Sequence, residues 1–237
     1  MVMLPKQFRD LRYELFYRLL QRQRVPLMTL GDTINECQWT FCPEGLNAQS
    51  IVYSGGVGND ISFEHALVKQ FGCSVVMIDP SPTGLRTMSL PQNKLPQFRF
   101  FPVALSDHDG TLSFAPPIHP EEGSWYVRAD KPGELSLPCT DLLSIMRQNR
   151  HDHIDLLKID IEGSEYAVLE DILRRHIPVR QICVEYHHNL VPGVKRNQAI
   201  RSIVKLMMHG YKLVDHLAGN HTFVNRRTQV AAASGTR

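Results

Sequence analysis

The sequence predicts an α/β protein with a Rossmann-like, mostly parallel sheet that ends in a C-terminal antiparallel hairpin. Short apolar runs alternate with amphipathic segments from residue 50 to residue 209, as strands alternate with helices in such a sheet. The apolar runs end in glycines or acids, which is typical of strands whose carboxyl ends border a ligand site. Two strand patterns, at residues 211–216 and 221–225, flank Gly219-Asn220, a turn signal that predicts the final hairpin.

The composition is that of a globular protein without extreme charge. The chain has 237 residues, of which 43% are hydrophobic, and its 26 basic and 24 acidic side chains leave a net charge of +2. That balance predicts no general nucleic-acid binding. Five cysteines without CxxC spacing predict neither a disulfide scaffold nor a zinc ribbon, and no apolar run reaches transmembrane length. We therefore expect a cytoplasmic protein.

The pattern divides the chain into three parts. Residues 1–49 combine a basic amphipathic helix, at residues 5–24, with an irregular lead-in. Residues 50–225 form the main domain, and residues 226–237 are predicted to be a frayed tail. The amphipathic helix fits two interpretations. It packs across the domain or against a second copy in a homodimer, or it lies on a membrane surface or a partner protein.

The first strand, helix and second strand of the main domain carry a cofactor pattern. A strand at residues 50–54 leads into a glycine turn, a helix follows, and the next strand ends in Asp79. Gly56 and Gly58 allow the backbone to approach a ligand closely at a helix N-terminus. An acid about 20 residues further on accepts ribose hydroxyls in proteins that bind adenosine cofactors. The alternative is a tight strand–helix turn with a solvated Asp79.

Two adenosine cofactors fit this pattern. A nicotinamide dinucleotide requires a third glycine in the turn, and Ile61 follows instead, so its pyrophosphate site is poorly matched. S-adenosylmethionine has no pyrophosphate, and a single GxG suffices for it.

The middle of the chain predicts shorter elements. A third strand covers residues 98–103, and Asp109-Gly110 indicates a hairpin into a short strand at residues 111–114. Residues 115–134 are rich in proline, glycine and charge, which predicts a loop over the site.

The fourth and fifth strands end in the candidate catalytic residues. Asp160 and Glu162 follow one apolar run, and Glu185 and His187 follow the other. Carboxylates and histidines at such an edge can accept a proton from a reacting group. Each of these residues also has an alternative interpretation. Asp160 and Glu162 would stabilise the N-terminus of a helix capped by Ser164. Glu185 would have a structural hydrogen-bonding role, and His187 would be an ordinary loop histidine.

Several segments resemble the FkbM-type methyltransferases. Residues 156–166 (LLKIDIEGSEY) are similar to the signature of that family, and residues 103–110, 137–143 and 182–185 resemble other segments of it. Together these segments place the resemblance over roughly residues 50–225. The resemblance implies a class I S-adenosylmethionine-dependent methyltransferase fold with a seven-stranded sheet. It also implies methyl transfer, often to a hydroxyl oxygen.

One departure from the class pattern concerns the glycine turn. The pattern is acid-x-G-x-G-x-G, but Ser54 stands at the position of the acid and Asp60 at that of the third glycine. The acid normally helps hold the methionine amino group, and Asp60 or a neighbouring carbonyl is the candidate replacement. The resemblance assigns the methionine end to Ser54, Gly56, Gly58 and Asp60, the ribose to Asp79, and the adenosine pocket to Pro80, Ser81, Ala104 and Leu105.

The predicted function is O-methylation of a hydroxyl on a small-molecule or glycosidic acceptor, with Asp160, Glu185 and His187 as catalytic residues. A divalent cation such as Mg²⁺ between Asp160 and Glu185 is an alternative, because it prefers hard oxygen ligands. Two rival classes stay open. One is a nicotinamide-dependent oxidoreductase, and the other is a non-catalytic binding protein that retains the fold.

Overall fold

The computed structural model describes residues 17, 20–21, 25–33, 37–117, 123–128, 135–187, 195–217 and 219–225. The described strands are β1 (Met28–Leu30), β2 (Trp39–Phe41), β3 (Ile51–Gly55), β4 (Ser74–Ile78), β5 (Phe98–Phe101), β6 (Ala104–Ser106), β7 (Gly110–Ala115), β8 (Tyr126–Val127), β9 (Leu135–Asp141), β10 (Ile154–Ile159), β11 (Val179–Glu185), β12 (Tyr211–Leu217) and β13 (Asn220–Asn225). The described α-helices are α1 (Ser62–Phe71), α2 (Pro82–Ser89), α3 (Leu142–Asn149), α4 (Glu165–Arg174) and α5 (Arg196–Met208).

Seven strands form the main sheet, in the order β5-β4-β3-β10-β11-β13-β12. β13 runs antiparallel to both of its neighbours, whereas the pairs from β5 to β11 are parallel. The predicted Rossmann-like, mostly parallel seven-stranded sheet with a terminal antiparallel hairpin is therefore confirmed. In such a sheet the carboxyl ends of β3, β4, β10 and β11 lie along one edge, where ligands bind.

β10 lies at the centre of the sheet and buries apolar side chains on both of its faces. Leu157 and Ile159 pack into a core that includes residues of α4 and α5. Leu156 packs into the other core, with Phe63 and Leu67 of α1. Helices thus cover both faces of the parallel strands, and the site is confined to the edge where the strands end.

A smaller sheet has the order β6-β9-β7-β8. β9 lies between β6 and β7, so that Cys139 pairs with both Ala104 and Gly110. The hairpin predicted from Asp109-Gly110 is therefore wrong. β6 runs parallel to β9, and β7 runs antiparallel to it on the other side. The turn at Asp109-Gly110 therefore connects two strands that lie on opposite sides of β9.

Most of the predicted N-terminal helix lies outside the described residues, as do residues 118–122 and 129–134 of the predicted loop and the tail at 226–237. Tyr17 is described. It is buried, and its ring stacks on that of His216 in β12 with the ring centroids 3.7 Å apart. At this residue the N-terminal segment packs on the terminal hairpin, and the homodimer stays a prediction. None of the helices in the described ranges is long and apolar enough to span a membrane.

The glycine turn after β3 is fixed by the neighbouring strand. Gly56 has a φ of 89°, and a Cβ there would stand 1.8 Å from the backbone oxygen of Asp160. A Cβ on Gly58, whose φ is 56°, would meet nothing within 4 Å. Gly56 is thus required by the packing of β3 against the end of β10, whereas Gly58 is required only by its backbone conformation.

We expect Gly56→Ala to destabilise the fold far more than Gly58→Ala. The first change forces a methyl group into a backbone oxygen and strains φ, for a cost of about 3 kcal/mol or more. The second strains φ alone, for about 1–2 kcal/mol. Urea unfolding of both variants measures the difference. Equal losses of unfolding free energy would contradict the close contact between the two strands.

Candidate active site

A cavity of about 990 Å³ opens at the carboxyl ends of the central parallel strands. The sequence-predicted site residues that line it are Gly56, Gly58, Asp60, Asp79, Pro80, Ser81, Ala104, Leu105, Asp160, Glu185 and His187. Ser54 is the exception, since it is fully buried and does not belong to the cavity wall. The residues predicted for the cofactor and those predicted for catalysis therefore share one cavity.

Asp79 is locked onto the glycine turn. Its Oδ2 accepts hydrogen bonds from the backbone N–H groups of Val57 at 2.8 Å and Gly58 at 3.0 Å. Its Oδ1 accepts one from the N–H of Ser81 at 2.7 Å. The interpretation of Asp79 as a solvated acid is thus wrong, because the side chain is buried and bonded to three amides. Among the described residues, Oδ1 accepts a hydrogen bond from Ser81 alone, so its second lone pair suits a ribose hydroxyl.

Asp60 and Ser81 each begin a helix. Asp60 Oδ1 accepts a hydrogen bond from the N–H of Ser62 at 2.7 Å, at the start of α1. Ser81 Oγ accepts one from the N–H of Gly84 at 2.9 Å, at the start of α2. Both side chains therefore have local structural partners in addition to their places on the cavity wall.

Sequence reasoning missed two buried charges, Glu64 and Lys158. The Ser54 hydroxyl donates to Glu64 Oε1 at 2.5 Å, and Lys158 Nζ lies 3.6 Å from the same oxygen. Lys158 Nζ also donates to the carbonyl of Gly56 at 2.7 Å. Both charged residues line the cavity. The sequence contains a signal for each of the two. Lys158 lies within the apolar run of β10, and Glu64 lies beside Phe63 on the buried face of α1.

The electrostatic surroundings of Lys158 keep it charged. Burial by itself lowers the pKa of Lys158, but the charges of Glu64 and Asp160 outweigh burial and raise it. The second of these carboxylates lies 4.0 Å from Nζ. The ammonium therefore stays protonated inside the fold.

Four carboxylates surround His187 at the other side of the cavity. Nδ1 lies 2.7 Å from Oε1 of the fully buried Glu165. Nε2 lies 3.4 Å from Glu162 Oε2, 3.7 Å from Asp160 Oδ1 and 3.9 Å from Glu185 Oε1. The structure thus brings the three predicted catalytic residues together and adds two acids to them. His187 is central to the cluster and is no ordinary loop histidine.

The carboxylates and the imidazole shift one another's pKa. Burial lowers the pKa of His187, but the hydrogen bond to Glu165 and the nearby negative charges outweigh it and raise the pKa to about 10. Burial raises the pKa of Glu185 to about 7, and the charge of Asp160 adds to the effect. Burial also raises the pKa of Glu162, and the negative charge of Asp160 adds to this effect. At neutral pH the cluster contains an imidazolium and a carboxyl group poised to exchange a proton.

Glu162 reaches this cluster from a strained backbone conformation. Its φ of 50° lies in the left-handed region, which side chains other than glycine rarely adopt. The Glu162 carbonyl accepts a hydrogen bond from Val127 at 3.0 Å, which ties the turn to β8. Ser164 takes the N-cap position of α4, but its side chain makes no capping hydrogen bond, so the predicted cap is wrong. Glu165 instead accepts the N–H of Gly163 at the helix start.

Three residues of this cluster, including His187 itself, offer atoms that could also bind a cation. Within the described ranges, Asp160, Glu185 and His187 form a group whose ligand atoms all lie within 4.8 Å of one another. The Nδ1 contact to Glu165 resembles the support that carboxylates give to metal-binding histidines. The same geometry also suits a protonated imidazole among acids.

The main sheet has one antiparallel strand, and its glycine turn is hydrogen-bonded to the acid after the next strand. This arrangement is that of the class I S-adenosylmethionine-dependent methyltransferase fold. The methyltransferase FkbM domain matches residues 53–213. The chain therefore belongs to the FkbM methyltransferase family, as its motifs predicted. The match lies within the predicted main domain, residues 50–225, whose bounds stay a prediction.

Two solved structures match parts of this chain. Aeropyrum pernix fibrillarin, in complex with natively bound S-adenosyl-L-methionine, is 10% identical with a TM-score of 0.40, over 76% of this chain and 66% of the fibrillarin chain. M. jannaschii TYW2, in complex with AdoMet, is 12% identical with a TM-score of 0.38, over 85% of each chain. No curated protein matches the chain.

We expect His187 to make stability depend on pH. Because its folded pKa is raised from 6.5 to about 10, its protonation stabilises the fold fully below pH 6.5, and this contribution is lost as pH rises through about 10. The unfolding free energy of the wild type should fall relative to that of His187→Gln between these two pH values. Urea unfolding at a series of pH values measures it. A difference that does not change with pH would contradict the charged imidazole.

Proposed function

We propose that this protein transfers a methyl group from S-adenosylmethionine to a hydroxyl oxygen of a small-molecule or glycosidic acceptor. One observation carries the proposal: Glu185, an acid with a pKa of about 7, lines the same cavity as the glycine turn and Asp79. O-methylation requires such a base beside the cofactor, because the hydroxyl loses its proton as the new C–O bond forms. Membership of the FkbM family supports the same reaction class.

The residues of the cavity fit the cofactor. Asp79 offers Oδ1 to a ribose hydroxyl, and Ala104 and Leu105 offer apolar contact to an adenine ring. The φ of 56° at Gly58 turns the backbone without adding a side chain to the cavity. When bound, S-adenosylmethionine supplies a methyl group activated by the positive charge of its sulfonium sulfur.

Glu185 suits the role of proton acceptor better than His187 does. A base must be unprotonated before it acts, and a pKa of about 10 leaves His187 protonated at neutral pH. Burial raises the pKa of Glu185 toward neutral pH, so its carboxylate can take up a proton there, and it borders the cavity at the end of β11. The imidazolium of His187 then offsets the surrounding carboxylates and fixes their positions.

Polar side chains that suit an acceptor with several hydroxyls also line the cavity. They are those of Thr29, Thr40, Asp215 and Asn220. Within the part of the chain that the structure describes, the buried Oδ1 of Asn220 has no hydrogen-bond partner. Asn220 pairs with Glu185 across β13 and β11, so an acceptor hydroxyl that donates to Oδ1 would stand near the proposed base.

The same features disfavour the rival classes. A dinucleotide needs space at the third position of its glycine motif, whereas Ile61 is a buried core side chain. Membership of the FkbM methyltransferase family, over residues 53–213, disfavours a binding protein without activity. S-adenosylhomocysteine, but not NAD, should therefore raise the melting temperature.

We expect Glu185→Gln to lower kcat by about 100-fold or more, because it removes the proton acceptor. S-adenosylhomocysteine should bind the variant about as well as the wild type, as calorimetry can measure. In the wild type, kcat/KM should rise about tenfold per pH unit below pH 7 and level off above it, since Glu185 must be ionised.

The matched control is Glu170→Gln, which removes an exposed acid that pairs with Lys205 on the helices. It should leave kcat and its pH profile unchanged. The assignment of Glu185 fails if Glu185→Gln keeps wild-type turnover, or if its kcat/KM still rises through pH 7 as that of the wild type does.

We also propose that methyl transfer needs no divalent cation, because the imidazolium of His187 already supplies a positive charge between Asp160 and Glu185. Dialysis against EDTA should leave turnover within about twofold of the untreated enzyme. The control is the same sample with Mg²⁺ added back. Turnover that EDTA abolishes and Mg²⁺ restores would show instead that a cation binds between these acids.

A further inference from the structure

We propose that Glu64 binds the α-ammonium group of the cofactor's methionine end, in place of the acid that Ser54 replaces. This inference rests on the proposed use of S-adenosylmethionine. It differs from the expectation drawn from the sequence, which gave that role to Asp60 or a neighbouring carbonyl.

The first argument is position. Ser54, in β3, is buried, and its hydroxyl donates to Glu64 Oε1 at 2.5 Å. Glu64 lies in the first turn of α1, ten residues further on, and its side chain returns to the end of β3. The short serine therefore leaves space that the longer glutamate fills, so a carboxylate stands beside the position of the usual acid.

The second argument is the incomplete pairing of a buried charge. Glu64 is 1% exposed, yet it belongs to the cavity wall. Lys158 Nζ lies 3.6 Å from Oε1, a distance too long for a good hydrogen bond, and it donates to the Gly56 carbonyl instead. Among the described residues, none donates a hydrogen bond to Glu64 Oε2. A buried carboxylate oxygen in this state is suited to a cationic donor from a ligand.

The third argument concerns Asp60. Its Oδ1 already accepts the N–H of Ser62 at the start of α1, whereas Glu64 makes no hydrogen bond to a backbone group of the described residues. Glu64 is also the more deeply buried of the two, so a charge-assisted hydrogen bond to it is less exposed to competition from water.

The test compares two ligands by calorimetry. S-adenosylhomocysteine carries the amino-acid end, and 5′-methylthioadenosine keeps the adenosine and the sulfur but lacks the ammonium and the carboxylate. Glu64→Gln should weaken S-adenosylhomocysteine by about 10- to 100-fold, as expected for loss of one charged hydrogen bond. It should leave 5′-methylthioadenosine within about twofold, and Glu170→Gln should change neither.

Each other outcome overturns the inference. Unchanged or equally weakened binding of both ligands to Glu64→Gln means that Glu64 does not hold the ammonium. Selective weakening of S-adenosylhomocysteine by Asp60→Asn, but not by Glu64→Gln, gives the role to Asp60. A wild type that binds 5′-methylthioadenosine and S-adenosylhomocysteine no better than NAD refutes the proposed function itself.

A second variant guards against misfolding, because Glu64 is buried. Ser54→Asp combined with Glu64→Ser moves the carboxylate from α1 to β3 and keeps the two side chains hydrogen-bonded partners. This double variant should bind S-adenosylhomocysteine within about threefold of the wild type. If it binds 5′-methylthioadenosine normally but S-adenosylhomocysteine as weakly as Glu64→Gln does, the inference is wrong.

Discussion

The buried ammonium of Lys158 joins the parts of the site to one another. A charge on the central strand of the sheet is costly to desolvate, by several kcal/mol, unless it is paired and hydrogen-bonded. Lys158 Nζ donates to the carbonyl of Gly56 and faces Glu64 at 3.6 Å and Asp160 at 4.0 Å. The glycine turn after β3, the helix α1 and the end of β10 are therefore held in one arrangement.

The charges of the cavity suit the cofactor. Among the described residues, Lys158 is paired with Glu64 and Asp160 on one side of the cavity, and on the other side the cation His187 lies among four carboxylates. Carboxylates outnumber cations on both sides. S-adenosylmethionine brings a sulfonium and an ammonium, so its binding relieves this excess of negative charge. Burial and the charge of Asp160 raise the pKa of Glu185, so the proposed proton acceptor belongs to the same electrostatic environment as the cofactor site.

Much of this arrangement follows from the sequence, because strand ends can be recognised locally. The apolar runs predicted the parallel sheet, and the acids after them, Asp79, Asp160 and Glu185, share a cavity because parallel strands end at one edge. Contacts between distant segments could not be predicted. The side chain of Glu64 returns from α1 to β3, and Glu165 holds His187 across 22 residues. Both depend on how a helix packs on the sheet, which spacing along the chain does not determine.

A crystal structure with S-adenosylhomocysteine bound tests the assignment of the site most directly. We expect the ribose hydroxyls on Asp79, the adenine against Ala104 and Leu105, and the sulfur on the side of the cavity that Asp160 and Glu185 border. A ligand bound elsewhere, or one whose ribose lies away from Asp79, would contradict the assignment of this cavity to the cofactor.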